Sequence, residues 1–309
     1  MSGPAEPDSA STSSTGQSLG RRLEAAGARA AERLSAALPL DAASGGAGRI
    51  AALLGPILPF DKRARRNLDH VWPQAGPGSR REWRRGVYDN FARSIVEYPH
   101  LARIAADPDR LTIEGAEHLL AAKAAGRGAI LATAHFGQWE AVRLAARRLG
   151  WETGLIYRRF NNPLVDAQAL RLARTGGEPV VTRGASGLLR FVRHLKRGGA
   201  MAILADHRMD GIRAPFLGRE ASSSTAAAEI ALSTGAALIP ARGERLGGAR
   251  FRAVFEPPIL PPPILPQEGG ATPQEAAEAM TLALNARYEA WIQSAPGQWF
   301  WLHRRWGRL

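Results

Sequence analysis

The hydrophobic positions in the N-terminal third of the chain follow helical spacing. Intervals of three and four residues place one apolar set on a single helix face: Leu19, Leu23, Ala26, Ala30, Leu34 and Leu38. A second apolar stretch covers residues 50–58. A further helix is predicted from Ser79 to Glu97, with Ser79 and Glu82 as a capping box and Pro99 as its end. These patterns predict an N-terminal helical region over residues 19–106, and its association with a membrane is a hypothesis.

After Leu111 the pattern changes to short apolar runs that alternate with helical segments. The runs are LTIEG, AILATA, GLIY, VV (180–181), MAILA, ALIPA and FRAVF. AILATA is almost continuously apolar, which is typical of a central strand buried on both faces. Helices are predicted to start near Pro163, Ser186 and Thr272, and a Ser/Thr cluster at 222–225 caps another. The alternation predicts an α/β domain with helices on both faces of its sheet.

No segment of the sequence predicts a membrane span. The longest uncharged apolar runs, 50–60 and 230–241, fall short of the roughly 20 residues that a spanning helix needs. Residues 1–18 are small and polar, without the features of a signal peptide, and predict a disordered tail. The helix from Leu19 to Leu38 fits either the surface of a bilayer or the body of the domain.

The composition favours an anionic partner. The chain has 309 residues, a formal net charge of +13 and no cysteine, which excludes disulfides and a cysteine nucleophile. Almost all of its basic residues are arginine, whose planar fork grips phosphate and carboxylate groups. A GC-rich genome explains the excess of arginine over lysine, but it explains the net charge less well. Because the arginines are dispersed and no nucleic-acid-reading motif accompanies them, a nucleic-acid partner is not predicted.

One histidine stands out among the seven in the sequence. His135 directly follows the predicted buried strand and precedes a helix, where α/β proteins bind their ligands. If the chain turns at Gly137, the Glu140 carboxylate reaches the imidazole and prepares it to take a proton from an alcohol. On the residues alone, a coincidental pairing is favoured over a functional one. Asp206 and His207 follow another predicted strand, and we predict no metal site there.

Several stretches together carry a family resemblance. The segment from His135 to Glu140 resembles the HxxxxE motif of the lysophospholipid acyltransferase superfamily. Further stretches are similar, in order, to the lauroyl/myristoyl acyltransferases of bacterial lipid A biosynthesis: RRNLDHVWP (65–73), YRRFNNPLVD (157–166), TRGASGLLRFVRHLKRGG (182–199), LADHRMDG (204–211) and FWLHRRWGR (300–308). The combination, above all the ending, is specific, and it covers roughly residues 45–308.

The resemblance implies a fold and a reaction. The fold is that of the superfamily, with a mixed central sheet in an acyltransferase domain over residues 107–309, preceded by the N-terminal helices. The reaction moves a fatty acyl group from acyl carrier protein, or acyl-CoA, to a hydroxyl of a lipid A precursor. His135 is then the general base and Glu140 orients it, with no acyl-enzyme, cofactor or metal. The implied substrate-binding residues are Arg158, Asn162, Arg183, Asp206, His207, Arg304 and Arg305.

Several of these residues also fit a purely structural role. Asn162 fits a turn before Pro163, Arg183 an ion pair, and His207 a structural histidine. The two arginines at 304 and 305 fit a solvated basic end. At the level of the whole protein, the alternatives are acylation of another glycolipid, a phospholipid or an amino-lipid, and a non-catalytic protein that binds lipid or carrier.

Partners and location follow from the same resemblance. An acidic carrier protein and a phosphate-bearing glycolipid both suit a basic surface. Members of the family commonly begin with one apolar membrane helix, whereas residues 21–38 carry six charges here. We therefore expect peripheral rather than spanning association with the cytoplasmic face of the bacterial inner membrane.

Overall fold

The structure, a computed structural model, describes residues 18–263 and 271–307. The predicted disordered tail lies outside the described residues except for Ser18. The helices are α1 (Leu19–Ala37), α2 (Leu40–Leu54), α3 (Asp61–Val71), α4 (Pro77–Val96), α5 (Leu101–Ala106), α6 (Ala116–Ala124), α7 (Glu140–Arg148), α8 (Pro163–Thr175), α9 (Ala185–Lys196), α10 (Ala226–Thr234) and α11 (Pro273–Ser294). Short 3₁₀ turns lie at Gly55–Ile57, Tyr98–His100 and Pro296–Gln298.

Most strands are where the apolar runs predict them. The strands are β1 (Leu111–Glu114), β2 (Ala129–Thr133), β3 (Thr153–Tyr157), β4 (Val180–Thr182), β5 (Ala200–Leu204), β6 (Ile212–Phe216), β7 (Arg219–Ser223), β8 (Ala237–Gly247) and β9 (Arg250–Phe255). In the described part of the chain, seven of them form one sheet in the order β1-β9-β8-β2-β5-β3-β4. β8 and β9 run antiparallel and the other neighbours run parallel, so the predicted mixed sheet is confirmed.

The core lies on both faces of the sheet. All residues of the central strand β2 are buried, and alternate side chains enter different clusters. Ile130 belongs to the buried cluster that also contains Trp291 of α11. Its neighbour Leu131 belongs to the cluster on the other face, which contains Leu144 of α7 and Phe251 of β9. Period-two alternation sends successive side chains to opposite faces, so this strand is apolar throughout.

Two helix caps differ from those that the sequence predicts. α4 begins at Pro77, whose fixed φ suits the first helical turn, so Ser79 lies inside the helix and forms no capping box. In the cluster at 222–225, the Ser224 hydroxyl accepts the N–H of Ala226, the first residue of α10, at 3.3 Å, whereas the N-cap residue Thr225 makes no side-chain cap. Ser222 and Ser223 belong to β7, and the Thr225 hydroxyl donates to Glu229. α11 starts where predicted, with a capping box between Thr272 and Glu275.

Helix α1 packs with its polar face inward. Glu24 accepts a hydrogen bond from the Asn162 side chain at 2.8 Å, and Glu32 accepts one from Gln168 at 2.6 Å and bonds Arg171. The leucines of the predicted apolar face are exposed instead: Leu19 by 73%, Leu23 by 64%, Leu34 by 64% and Leu38 by 40%. Within the described ranges, no helix is both long and apolar enough to cross a bilayer.

Candidate active site

Two neighbouring strands bring the central pair of residues together. β2 and β5 are parallel, with Thr133 opposite Leu204. His135 and Asp206 each lie two residues beyond these partners, so they leave the sheet side by side. This is the carboxyl edge of the sheet, outside which α/β proteins bind ligands.

A buried carboxylate holds the imidazole of His135. Nδ1 of His135 lies 2.9 Å from Oδ1 of Asp206, and the His135 backbone N–H donates to Oδ2 over 3.0 Å. The indole N–H of Trp299 donates to the same oxygen at 2.8 Å. The Asp206 side chain is fully buried, whereas 24% of the His135 side chain is exposed. Nδ1 therefore carries the proton shared with Asp206, and Nε2 is the nitrogen left to act as a base.

The electrostatics of this pair suit a general base. Burial alone would raise the pKa of Asp206, but the charge and the hydrogen bond of His135 outweigh burial and hold that pKa well below its ordinary range. The carboxylate is thus ionised at neutral pH, and it stabilises the imidazolium that forms when Nε2 takes a proton.

Glu140 does not serve as the carboxylate partner of His135, which corrects the contact predicted from the sequence. Glu140 begins α7 with its side chain in the core. Its Oε2 accepts from Nη1 of Arg143 at 2.7 Å, and its Oε1 accepts from the hydroxyl of Tyr98 at 3.1 Å. Both members of the Glu140–Arg143 pair are buried. A permanently charged guanidinium three residues away on the same helix is a stronger partner than a neutral imidazole, and Asp206 takes the position predicted for Glu140.

Contacts on both sides fix the loop that carries His135. The chain turns at Gly137, with a φ of 54°, and a Cβ there would lie 2.0 Å from the carbonyl oxygen of Gly243. From the C-terminal segment, the N–H of Phe300 donates to the His135 carbonyl at 3.0 Å. Only glycine fits this close approach in a left-handed conformation, so the loop conformation is set by the backbone around it.

A second histidine stacks on His135, and a third packs against that second ring. The His207 ring lies parallel to it, with centroids 4.0 Å apart and planes at 9°, and the His303 ring lies 4.3 Å from that of His207. Burial is the main cause that lowers the pKa of His207 to about 4. Burial, followed by the charge of His207, also holds the pKa of His303 well below its ordinary value. Both rings are therefore neutral at neutral pH and form an uncharged wall beside the base.

The same groups do not converge on a metal ion. Among the described residues, His135, Asp206 and His207 offer ligand atoms within 4.8 Å of one another. The two imidazoles stack face to face, so the lone pairs in their ring planes point along parallel planes. Nδ1 of His135 is already bonded to Asp206. This donor arrangement does not suit a coordinated cation.

Two predicted arginines share the same sheet edge. β3 and β4 pair in parallel with Tyr157 opposite Thr182, so Arg158 directly after β3 and Arg183 directly after β4 occupy equivalent positions. Both are exposed. The charge of Arg183 also lowers the pKa of His207, which shows that its guanidinium lies within electrostatic reach of the histidine stack.

The side chain of Asn162 forms its hydrogen bonds with other protein groups, which corrects its predicted substrate-binding role. Its side-chain oxygen accepts from the Leu164 N–H at 3.1 Å and caps α8. Its amide nitrogen donates to the Arg21 carbonyl at 2.9 Å and to Glu24. The amide therefore joins α8 to α1. Both its oxygen and its nitrogen are occupied by protein partners, so neither is available to bind a ligand.

The neighbouring Arg304 and Arg305 have opposite environments. Arg305 is fully buried and donates to the Ser222 carbonyl and the Ser223 hydroxyl, with its guanidinium 4.2 Å from the centroid of Phe216. Burial is the main cause that lowers its pKa to about 10. This burial and these bonds to the protein correct its predicted role as a substrate-binding residue. Arg304 is exposed and remains a candidate.

Comparison with known proteins identifies the family. The model of the bacterial lipid A biosynthesis acyltransferases matches residues 27–308. The chain belongs to this family. It is 28% identical over 275 residues to the lipid A biosynthesis lauroyltransferase of Escherichia coli K12, a match that covers 83% of this chain and 84% of that protein.

This family member also matches proteins named for another glycolipid. It is 28% identical over 234 residues to the phosphatidylinositol mannoside acyltransferase of Mycobacterium tuberculosis H37Rv, which covers 71% of this chain and 67% of that protein. The protein of that name from Mycolicibacterium smegmatis is 28% identical over 309 residues, covering 93% of each chain. The predicted family is thus confirmed, and acyl transfer of the lipid A or glycolipid type is its activity.

The sequence reasoning missed three residues that build the site. Trp299 donates to Asp206, while Tyr98 and Arg143 hold Glu140. Only Arg143 gave a signal in advance, because oppositely charged residues three positions apart on a helix pair with each other. The other two come from distant parts of the chain.

Proposed function

We propose that the protein transfers a fatty acyl group from the thioester of acyl carrier protein, or of CoA, to a hydroxyl of a lipid A precursor. The observation that carries this proposal is the His135–Asp206 pair, with its basic nitrogen at the open edge of the sheet. The predicted role of Glu140 as the orienting carboxylate passes to Asp206.

The reaction needs only one proton relay. Nε2 of His135 takes the proton of the acceptor hydroxyl while its oxygen attacks the thioester carbonyl. The new C–O bond forms, the C–S bond breaks, and the leaving thiolate takes the proton back from the imidazolium. Such general-base catalysis contributes roughly 10²–10⁴-fold to the rate. Asp206 stabilises the imidazolium of His135. Because the pKa of His207 is low, His207 does not take the proton from that imidazolium.

The two exposed arginines at the same edge supply positive charge. A negative charge develops on the carbonyl oxygen during attack, and a fixed cation near it lowers the barrier. We assign this role to Arg158, which follows β3, and we assign binding of an acidic group on the substrate to Arg183, which follows β4.

Association with a membrane surface completes the proposal. The exposed leucines of α1 and the exposed apolar side chains around the following 3₁₀ turn, including Ile57 at 77% and Phe60 at 49%, form an outward apolar surface. Since the polar face of α1 binds α8, this helix presents the side that enters a lipid interface. We place the protein at the cytoplasmic face of the inner membrane, bound peripherally.

A second acceptor is favoured by a specific observation. Relatives named phosphatidylinositol mannoside acyltransferase match this chain at the same 28% identity as the lauroyltransferase. Acylation of a mannoside hydroxyl uses the same proton relay, because His135 needs only to accept the proton of the acceptor O–H group. The acceptor is thus the feature that the first assay must resolve.

The test is an acyl-transfer assay with radiolabelled lauroyl and myristoyl carrier protein. The acceptors are a Kdo-bearing lipid A precursor and, in parallel, phosphatidylinositol mannoside. We expect transfer by the wild type and a loss of roughly 10²–10⁴-fold in His135→Ala. His118→Ala, in which a partly exposed histidine of α6 is replaced, is the matched control. Transfer by His135→Ala at the wild-type rate, or transfer to neither acceptor, contradicts the proposal.

A further inference from the structure

A basic cavity lies between α3 and the C-terminal segment. Its volume is about 370 Å³, in the lower part of the range typical of small-ligand sites. Four cationic side chains line it: Lys62, Arg63, Arg66 and Arg304. None of the described residues that line it carries a carboxylate. We call it the α3 cavity.

Three of these cations are not neutralised by the protein. Across residues 18–263 and 271–307, Lys62, Arg63 and Arg304 form no ion pair, whereas nearby Arg80 and Arg84 pair with acidic residues of the same helix α3. Like charges gathered around one cavity raise its positive potential and attract an anion. A doubly charged phosphate group with several acceptor oxygens suits such a cluster better than a single carboxylate does.

Hydrogen bonds fix the cavity wall in place. Nη1 of Arg63 donates to the carbonyl of Leu302 at 2.9 Å. The buried amide of Asn67 donates to the carbonyls of Trp301 at 2.7 Å and His303 at 2.8 Å. These bonds join α3 to the segment that carries Arg304, so the cations on the two sides are held at a fixed spacing before any ligand arrives.

The cavity is connected along the chain to the histidines of the candidate site. Arg304, which lines the cavity, directly follows His303, and His303 lies two ring-to-ring steps, of 4.3 and 4.0 Å, from His135. A phosphate bound at Arg304 is therefore one residue along the chain from the histidine that packs on His207. The exposed apolar ring of Phe60 also lines the cavity, so the site borders the surface proposed to contact lipid.

We infer that the α3 cavity binds a phosphate group of the acceptor glycolipid and thereby selects phosphorylated over unphosphorylated acceptors. This inference rests on the proposed function for the identity of the acceptor. The anion site itself rests on the charge and geometry of the cavity alone.

The activity test compares two acceptors in neutral detergent micelles, where no anionic lipid contributes. The acceptors are a lipid A precursor and the same molecule after enzymatic removal of its phosphates. We expect Lys62→Gln/Arg304→Gln to lower the wild-type preference in kcat/KM for the phosphorylated acceptor about tenfold, since each exposed charge pair contributes a few-fold. Lys62→Arg/Arg304→Lys retains the charges and should retain most of the preference.

A matched control removes two charges elsewhere. Arg103→Gln/Arg250→Gln replaces exposed arginines of α5 and β9 and should keep the wild-type preference, because neither residue lines the cavity. An equal loss of preference in this control would overturn the inference, since it would mean that overall charge decides the selectivity. A wild-type preference in Lys62→Gln/Arg304→Gln would overturn it too.

A binding arm separates this inference from the proposed function. Titration with glucosamine 1-phosphate, N-acetylglucosamine and inorganic phosphate is followed by calorimetry at low salt. Weaker binding of glucosamine 1-phosphate by Lys62→Gln/Arg304→Gln supports the site even if no acyl transfer is found. Inorganic phosphate bound as tightly as the sugar phosphate would overturn the headgroup assignment and indicate a site for free phosphate. No phosphate-dependent binding by the wild type would overturn the site itself.

Discussion

Replacing Asp206 by asparagine is the sharpest test of the proton relay. The carboxylate accepts three hydrogen bonds, two from His135 and one from the Trp299 indole. Asparagine has one oxygen to accept them and places an N–H₂ group where an acceptor is needed. If that N–H₂ faces the imidazole, Nδ1 must accept the bond and the ring proton moves to Nε2. The nitrogen that faces the substrate then no longer has its lone pair.

The magnitude follows from what the base contributes. A general base supplies roughly 10²–10⁴-fold, which corresponds to about 2.7–5.4 kcal/mol of transition-state stabilisation. We expect kcat of Asp206→Asn to fall within that range. KM should change little, because the interaction that is lost strengthens only when the imidazole becomes charged.

The assay is single-turnover acyl transfer with both substrates saturating, corrected for the folded fraction. Glu140→Gln is the companion variant, in which a buried carboxylate is likewise made neutral. It leaves Arg143 buried without its counter-charge, so it should lose about 3–5 kcal/mol of stability while its folded fraction keeps kcat within a few-fold. A collapse of kcat in Glu140→Gln with near-normal turnover in Asp206→Asn would refute the reasoning.

Three further outcomes are expected. Because folded His207 has a pKa of about 4 and unfolded histidine one near 6.5, the unfolded state binds the extra proton between these values. The unfolding free energy should therefore fall by up to about 3 kcal/mol from pH 6.5 to 4, and urea titrations should show a flatter dependence in His207→Phe. Leu23→Glu/Leu34→Glu should abolish flotation with anionic liposomes, whereas Leu120→Glu, at an exposed site of α6, should float like the wild type. Arg305→Lys should lose about 2 kcal/mol of stability without raising the acceptor KM, because its fork binds only protein groups; a raised KM in the folded enzyme would restore the headgroup role.

The fold was predictable wherever burial follows strand periodicity. AILATA and MAILA became the adjacent central strands β2 and β5 because both faces of the sheet are covered. The β6–β7 hairpin was not predicted, since IRAPF and REASS mix charged residues with a proline. Helix α3 was not predicted either. Its sequence DKRARRNLDHV is mostly charged, and it has only three apolar side chains, Ala64, Leu68 and Val71, all of which are buried.

The candidate site was predictable in its members but not in its pairing. His135 and Asp206 both follow apolar runs, so each was expected at the carboxyl edge. Their contact depends on β5 lying next to β2, and the local pattern of hydrophobic residues does not determine the order of strands in a sheet. Glu140 was favoured because it is close in sequence. Closeness in sequence alone was misleading, because the Glu140 carboxylate pairs with the charged guanidinium of Arg143 and not with the imidazole of His135.

The contacts between the loop that carries His135 and the segment after α11 have a consequence for how the enzyme is made. Trp299 bonds Asp206, and Phe300 bonds the backbone of His135. During synthesis the sheet is translated long before these residues, and domains begin to fold from the N-terminal side. A nascent chain therefore holds both members of the pair but lacks the groups that align them. A fragment that ends before Trp299 should therefore transfer no acyl group, even where its sheet is formed.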